Sequence, residues 1–176
     1  MATDLVTNIR TRIKAMIGAM TVDGGYNFDY ASTSIDPTNG NFMQSVQTGE
    51  TYDDIFPVVE TQVGDERPLF NPDNGVNGNI MLSDRDFSIV VYPKSTTNNV
   101  DTELNKVSED LKRLFFADVQ LRNTINEESN PVCRIAYYAG ETREFTTVNL
   151  QKCEGCIIWT LTVRYGQDLD NVRTLT

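Results

Sequence analysis

The chain has 176 residues, 25 acidic against 15 basic side chains, a formal charge of −10 and no histidine. That length suits one domain with a core of its own. The missing histidine excludes a Ser–His–Asp triad, a Cys–His pair and any His-ligated metal within the chain, and the sign of the charge disfavours broad phosphate-neutralising contact with nucleic acid.

The N-terminus lacks a basic start followed by an unbroken apolar stretch, so it does not read as a signal peptide. Leu5, Ile9, Ile13, Met16 and Met20 recur at spacings of three and four, which predicts a helix with one apolar face, capped by Thr3 or Asp4. Arg10, Arg12 and Lys14 lie largely off that face. They give residues 1–20 a net charge of +2.

Residues 21–86 hold twelve acids and only two bases, Arg67 and Arg85, and so carry the imbalance of the whole chain. Tyr26, Phe28 and Tyr30 alternate with polar residues and predict β structure. Asp36 to Asn41 is turn chemistry, with Phe42 to Val46 as a returning arm. Ile55 to Val63 predicts a strand, and Pro57 places it at an edge or marks its start. Residues 64–86, with Gly64, Asp65, Pro68, Asn71-Pro72, Asn74-Gly75 and Asn77-Gly78, predict a long exposed loop of the kind that carries contacts.

Phe87 to Pro93 predicts a central strand, its β-branched run covered on both faces. A second helix follows, with Val100, Leu104, Val107, Leu111, Leu114 and Phe115 on one face and Glu109 paired to Arg113 on the other. Strand followed by helix reads as half of a βαβ unit. Val132 to Tyr138 predicts a strand, Gly140 a turn, and Glu144 to Leu150 an arm pairing back. In Cys156 to Tyr165, the residues Ile157, Trp159, Leu161, Val163 and Tyr165 share the core face. A polar tail covers 166–176.

Three cysteines, an odd count, fit a reducing cytosol. Cys153 and Cys156 form one C-x-x-C running into a strand rather than a helix N-terminus, so a structural role outweighs a redox one. No nucleotide-binding, P-loop or nucleophile-elbow pattern occurs. The one catalytic alternative is a metal-dependent hydrolase using Asp84, Asp86 and Glu154, carboxylates near strand ends.

Taken together, the elements predict one α+β domain over 1–176. A mixed, mostly antiparallel sheet is flanked by an N-terminal and a central helix, with excursions near 31–54 and 64–86. The order of an amphipathic helix, Phe56-Pro57-Val58-Val59-Glu60, Gly64-Asp65-Glu66, the strand to Tyr92, the helix Leu104 to Leu114 and a last strand ending Arg164-Tyr165-Gly166 resembles the tail terminator and minor tail proteins of long-tailed bacteriophages. The resemblance covers most of the chain. It implies a structural virion protein of the tail or neck, assembled in the host cytoplasm, with no catalytic residue, cofactor or metal. It further implies a homo-oligomer, a hexameric ring that caps the tail tube and joins it to the head connector, with DNA passing the lumen without specific binding. Asp65, Glu66, Arg67, Asp73, Asn74 and Arg85 are then the candidate contacts to neighbouring subunits or partners. Another head–tail joining or tail completion ring is the near alternative. A cytosolic α/β binding module with an acidic partner face is a further one.

Overall fold

The computed structural model describes residues 4–30, 57–69, 80–93, 100–123, 130–145 and 155–168. Two helices, α1 (Leu5–Gly18) and α2 (Val100–Ala117), accompany four strands, β1 (Val58–Leu69), β2 (Ile80–Tyr92), β3 (Ile135–Phe145) and β4 (Gly155–Asp168). The strands form one sheet of order β1-β2-β4-β3. This is the expected α+β class, though every pairing among the described strands is antiparallel. The half βαβ unit is present in split form. The chain leaves β2, passes through α2 and enters β3, which runs parallel to β2 with β4 inserted between them, antiparallel to both.

α1 forms where the periodicity placed it. Asp4 is its N-cap, its Oδ1 accepting from the Val6 and Thr7 amides at 2.8 and 3.2 Å and so satisfying two of the donors a helix start leaves open. Leu5, Ile9, Ile13, Met16 and Ile17 are buried, and Met20 continues the stripe past the helix end. Arg10 reaches back over the sheet, donating from Nε to Thr61 Oγ1 and from Nη2 to the Thr61 carbonyl.

Both helices cover one face of the sheet. Phe87, Ile89 and Val91 of β2 alternate into that core with Ile157, Trp159, Leu161, Val163 and Tyr165 of β4, as period-two burial requires. Trp159 sits at its centre, stacked on Phe115 of α2 at 5.3 Å between centroids and tilted against Tyr138 of β3 at 5.0 Å. The opposite face is also buried at one end, through Val58, Val90 and Tyr92, which accounts for the weak alternation in β2.

Several expectations change. Tyr26, Phe28 and Tyr30 are not a strand. The chain closes on itself, the Tyr30 amide donating to the Met20 carbonyl, and lies against α2. There Asp110, which is buried, accepts from the Asn27 amide, from Asn27 Nδ2 and from the Tyr30 hydroxyl. Arg113 turns to the Gly25 carbonyl and the Tyr26 ring instead of pairing with Glu109. Gly25 has φ +87°, a left-handed conformation that favours glycine, and a Cβ there would press on the movable Arg113 guanidinium. Gly140 is no turn. It sits in a register shift inside β3 at φ +149°, and the strand runs on to Phe145. Gly166 to Asp168 extend β4 instead of opening a tail. The turn at 36–41 and its returning arm, residues 146–150 and the tail beyond 168 lie outside the described residues.

Burial raises the Asp110 carboxyl above its usual range despite its hydrogen bonds. Asp110→Ala would leave the Asn27 amide without its partner, a loss of about 1–3 kcal/mol. Asp4→Ala at the solvent-exposed cap should cost about 1 kcal/mol. Urea unfolding of the two variants checks the order, and equal losses would contradict it.

Candidate functional site

Residues 64–69 and 80–86, expected as loop, are strand. They form the far half of the β1–β2 hairpin, with β4 alongside to Asp168. Only 70–79 of that excursion lie outside the described residues. The polar residues of this half face both sides of the sheet and tie the strands to one another.

On the face away from the helices, Asp84 stands opposite Arg164 and Asp86 opposite Thr162. Arg164 grips Asp84 with two donors, Nε to Oδ1 at 2.8 Å and Nη2 to Oδ2 at 3.0 Å, and the Tyr137 hydroxyl of β3 adds a third at 3.0 Å. Arg67 of β1 grips Asp86 in the same two-pronged way, both distances 2.6 Å, and Thr162 Oγ1 donates to Asp86 at 2.6 Å. Forked arginine–carboxylate pairs are the stronger kind of ionic hydrogen bond. The Arg164 fork holds the Asp84 carboxyl below the usual range, and the Arg67 fork does the same for Asp86.

A second cluster lies on the helix-side face. Glu66 Oε2 accepts from Arg85 Nη2 at 2.6 Å and its Oε1 from the Tyr165 hydroxyl at 3.0 Å, while Arg85 Nε donates to the same Tyr165 oxygen at 3.2 Å. Burial pushes the Glu66 carboxyl up, but the hydrogen bonds from Arg85 and Tyr165 more than offset it, and the group ends below its usual range. A register shift in β1 between Val63 and Glu66 makes both clusters possible. Without the extra residue, strict alternation would send Glu66 to the far face and Arg67 to the near one. A bulge re-aims side chains in this way. Gly64 lies against the Asp86 backbone there, where a Cβ would stand 3.2 Å from the carbonyl oxygen.

The six contact candidates thus part company. Glu66 and Arg85 come together, and Arg67 goes to the other face. Asp65 is exposed at the bulge. Asp73 and Asn74 lie outside the described residues. Of the proposed hydrolase carboxylates, Asp84 and Asp86 share a face but each is closed off by its own arginine, and Glu154 lies outside the described residues. Among the described residues no three His, Cys, Asp or Glu side chains are grouped to hold a metal ion. Sequence reasoning missed Tyr137, Thr162, Arg164 and Tyr165 as partners. Alternation in β4 separated the two faces, but only the register names the pairs.

A third ionic group docks β3 on α2. Glu141 accepts from Ser108 at 2.5 Å and from Arg143 at 3.0 Å, with Lys112 at 3.4 Å. Burial pushes this carboxyl up, but those donors, Ser108 foremost, bring it below its usual range. Cys133 is buried against the Val119 carbonyl, and burial pushes its thiol up to about 12. Cys156 is a buried strand residue. No helix of the described residues is long and apolar enough to cross a membrane. Compared with known families and curated proteins, the sequence matches no family model and no curated sequence.

The lowered carboxyls fix the sign of the pH dependence. Glu66, Asp84, Asp86 and Glu141 stabilise the fold above the unfolded carboxyl range of about 4, and lose that contribution as pH falls through their lower folded values. Asp110 acts in the opposite sense. Asp4, whose carboxyl the Thr7 hydroxyl and amide hold below the usual range, joins the first set, so with five groups against one the urea midpoint should drop between pH 6 and pH 3, and Asp84→Asn should flatten the drop. A midpoint that holds or rises on acidification would contradict this.

Proposed function

We propose that the chain is a structural virion protein that forms a ring at the head-proximal end of a phage tail, caps the tail tube and joins it to the head connector. The reading rests on the resemblance in element order. The observation that carries it furthest is that the charged half of the sheet consists of closed pairs. Asp84, Asp86 and Glu66 each spend their oxygens on arginine and hydroxyl donors of the same chain, which is the chemistry of a rigid assembly unit rather than of an open reaction site. The same closure disfavours the hydrolase, since a divalent cation would have to displace two forked arginines to reach Asp84 and Asp86.

In this role the acidic excess of residues 21–86 keeps the ring from binding passing DNA tightly, because like charge opposes phosphate contact. Another head–tail joining ring would use the same subunit design. Electron micrographs of purified protein and of virions test the reading. Closed rings of identical subunits at the head–tail junction are expected, and monomers alone in both samples would overturn it.

A further inference from the structure

Residues 21–29 form a small closed body beside α2. Its ends are pinned together, the Tyr30 amide donating to the Met20 carbonyl at 3.0 Å, and both of those residues are buried in the core. Within it, the Tyr26 amide donates to the Thr21 carbonyl, the Gly25 amide to the Val22 carbonyl, the Gly24 amide to Thr21 Oγ1 and the Val22 amide to Asp29 Oδ1. A surface loop with joined ends and bonds of its own is of the Ω-loop kind, which is frequently functional. Its polar ties to the rest of the described fold converge on one stretch of α2. Asn27 Nδ2 donates to the Lys106 carbonyl at 3.3 Å and to Asp110 Oδ1 at 2.9 Å, and the Asn27 amide donates to both Asp110 oxygens, at 2.9 and 3.0 Å. Arg113 holds the Gly25 carbonyl and lies over the Tyr26 ring at 5.0 Å. Residues 21–25, Asn27 and Asp29 are exposed. Tyr26 and Phe28 are only partly buried against the core.

The central tie is balanced between two opposing costs. Asp110 is buried, its burial opposes its charge, and among the described residues no arginine or lysine pairs with it. Arg113, one turn on, spends its guanidinium on Gly25 and Tyr26, and Lys106, one turn back, pairs with Glu103. A buried charge held only by neutral donors keeps part of its desolvation cost. We propose that residues 21–29 are a lid that opens and closes as one unit over α2 from Lys106 to Arg113, hinged at Met20 and Tyr30 and latched by Asp110. Opening returns the Asp110 carboxylate and the Asn27 donors to water together and bares the Tyr26 and Phe28 rings. The buried stripe of α1, the helix α2 and the sheet keep their packing. Moving parts are drawn from such low-stability units of a fold. The inference is independent of the ring reading.

The test is native-state hydrogen exchange on the full chain. In wild type the Gly25, Tyr26 and Asn27 amides should share one opening equilibrium and exchange about tenfold or more faster than the Trp159 and Leu161 amides of β4. Low urea speeds exchange in proportion to the surface an opening exposes, so it should speed the β4 amides and leave the lid amides nearly unchanged. Asp110→Ala should speed the lid amides by about tenfold or more. Asp4→Ala, at the exposed start of α1, weakens the whole fold and should leave the lid amides unchanged. Asn27→Ala, at an exposed position, serves if Asp110→Ala fails to fold, and should speed Gly25 and Tyr26 by about threefold or more. If the lid amides follow urea as the β4 amides do, or if Asp4→Ala speeds them as much as Asp110→Ala does, the segment opens only with the whole fold and the proposal is wrong.

Discussion

The antiparallel pairing of β2 with β4 is the constraint on which the rest of the structure depends. It runs from Ile80 opposite Asp168 to Val91 opposite Ile157. One half of that ladder sets Phe87, Ile89 and Val91 beside Leu161, Trp159 and Ile157 under the two helices. The other half sets Asp84 against Arg164 and Asp86 against Thr162. A slip of one residue would turn the apolar stripe outward and break each polar pair at once. Register is therefore specified twice, by burial at one end and by charge at the other.

This division changes the meaning of the charge. A net of −10 spread over an open surface would be a source of repulsion and solubility. Five of the twelve acids in residues 21–86 are used inside the fold. Glu66, Asp84 and Asp86 lock strands together, Asp29 accepts from the Val22 amide, and Glu60 is buried with the Tyr92 hydroxyl as one neighbour. Asp110 does the same for the turn after α1. These acids are acceptors matched to arginine, hydroxyl and amide donors across the sheet and the helices, and the acidic excess is carried by the others.

What the sequence made legible follows from the range of the interactions involved. The helices could be read from apolar spacing because their stabilising contacts repeat every three or four residues, and the β4 core face could be read from its alternation. Pro57 correctly marked the entry to an edge strand. Residues 64–69 and 80–86 read as loop because Gly64, Asp65, Pro68, Ser83, Asp84 and Arg85 are locally polar or strand-breaking. Their stability comes from partners about twenty or eighty positions away, such as Arg85 with Glu66 and Arg164 with Asp84. The bulge at Gly64–Asp65 adds a phase change that no simple alternation predicts. Gly140 misled for the same reason, since a glycine in a strand marks a bulge as readily as a turn.

The account turns on the claim that Asp84 and Arg164 stabilise this sheet as a pair. A double-mutant cycle with Asp84→Ala, Arg164→Ala and the double variant, measured by urea unfolding, tests it most directly. A coupling energy on the order of 1–3 kcal/mol is predicted for a forked pair whose carboxylate side chain is only 8 % exposed. Single losses that simply add, within about 0.3–0.5 kcal/mol, would contradict it.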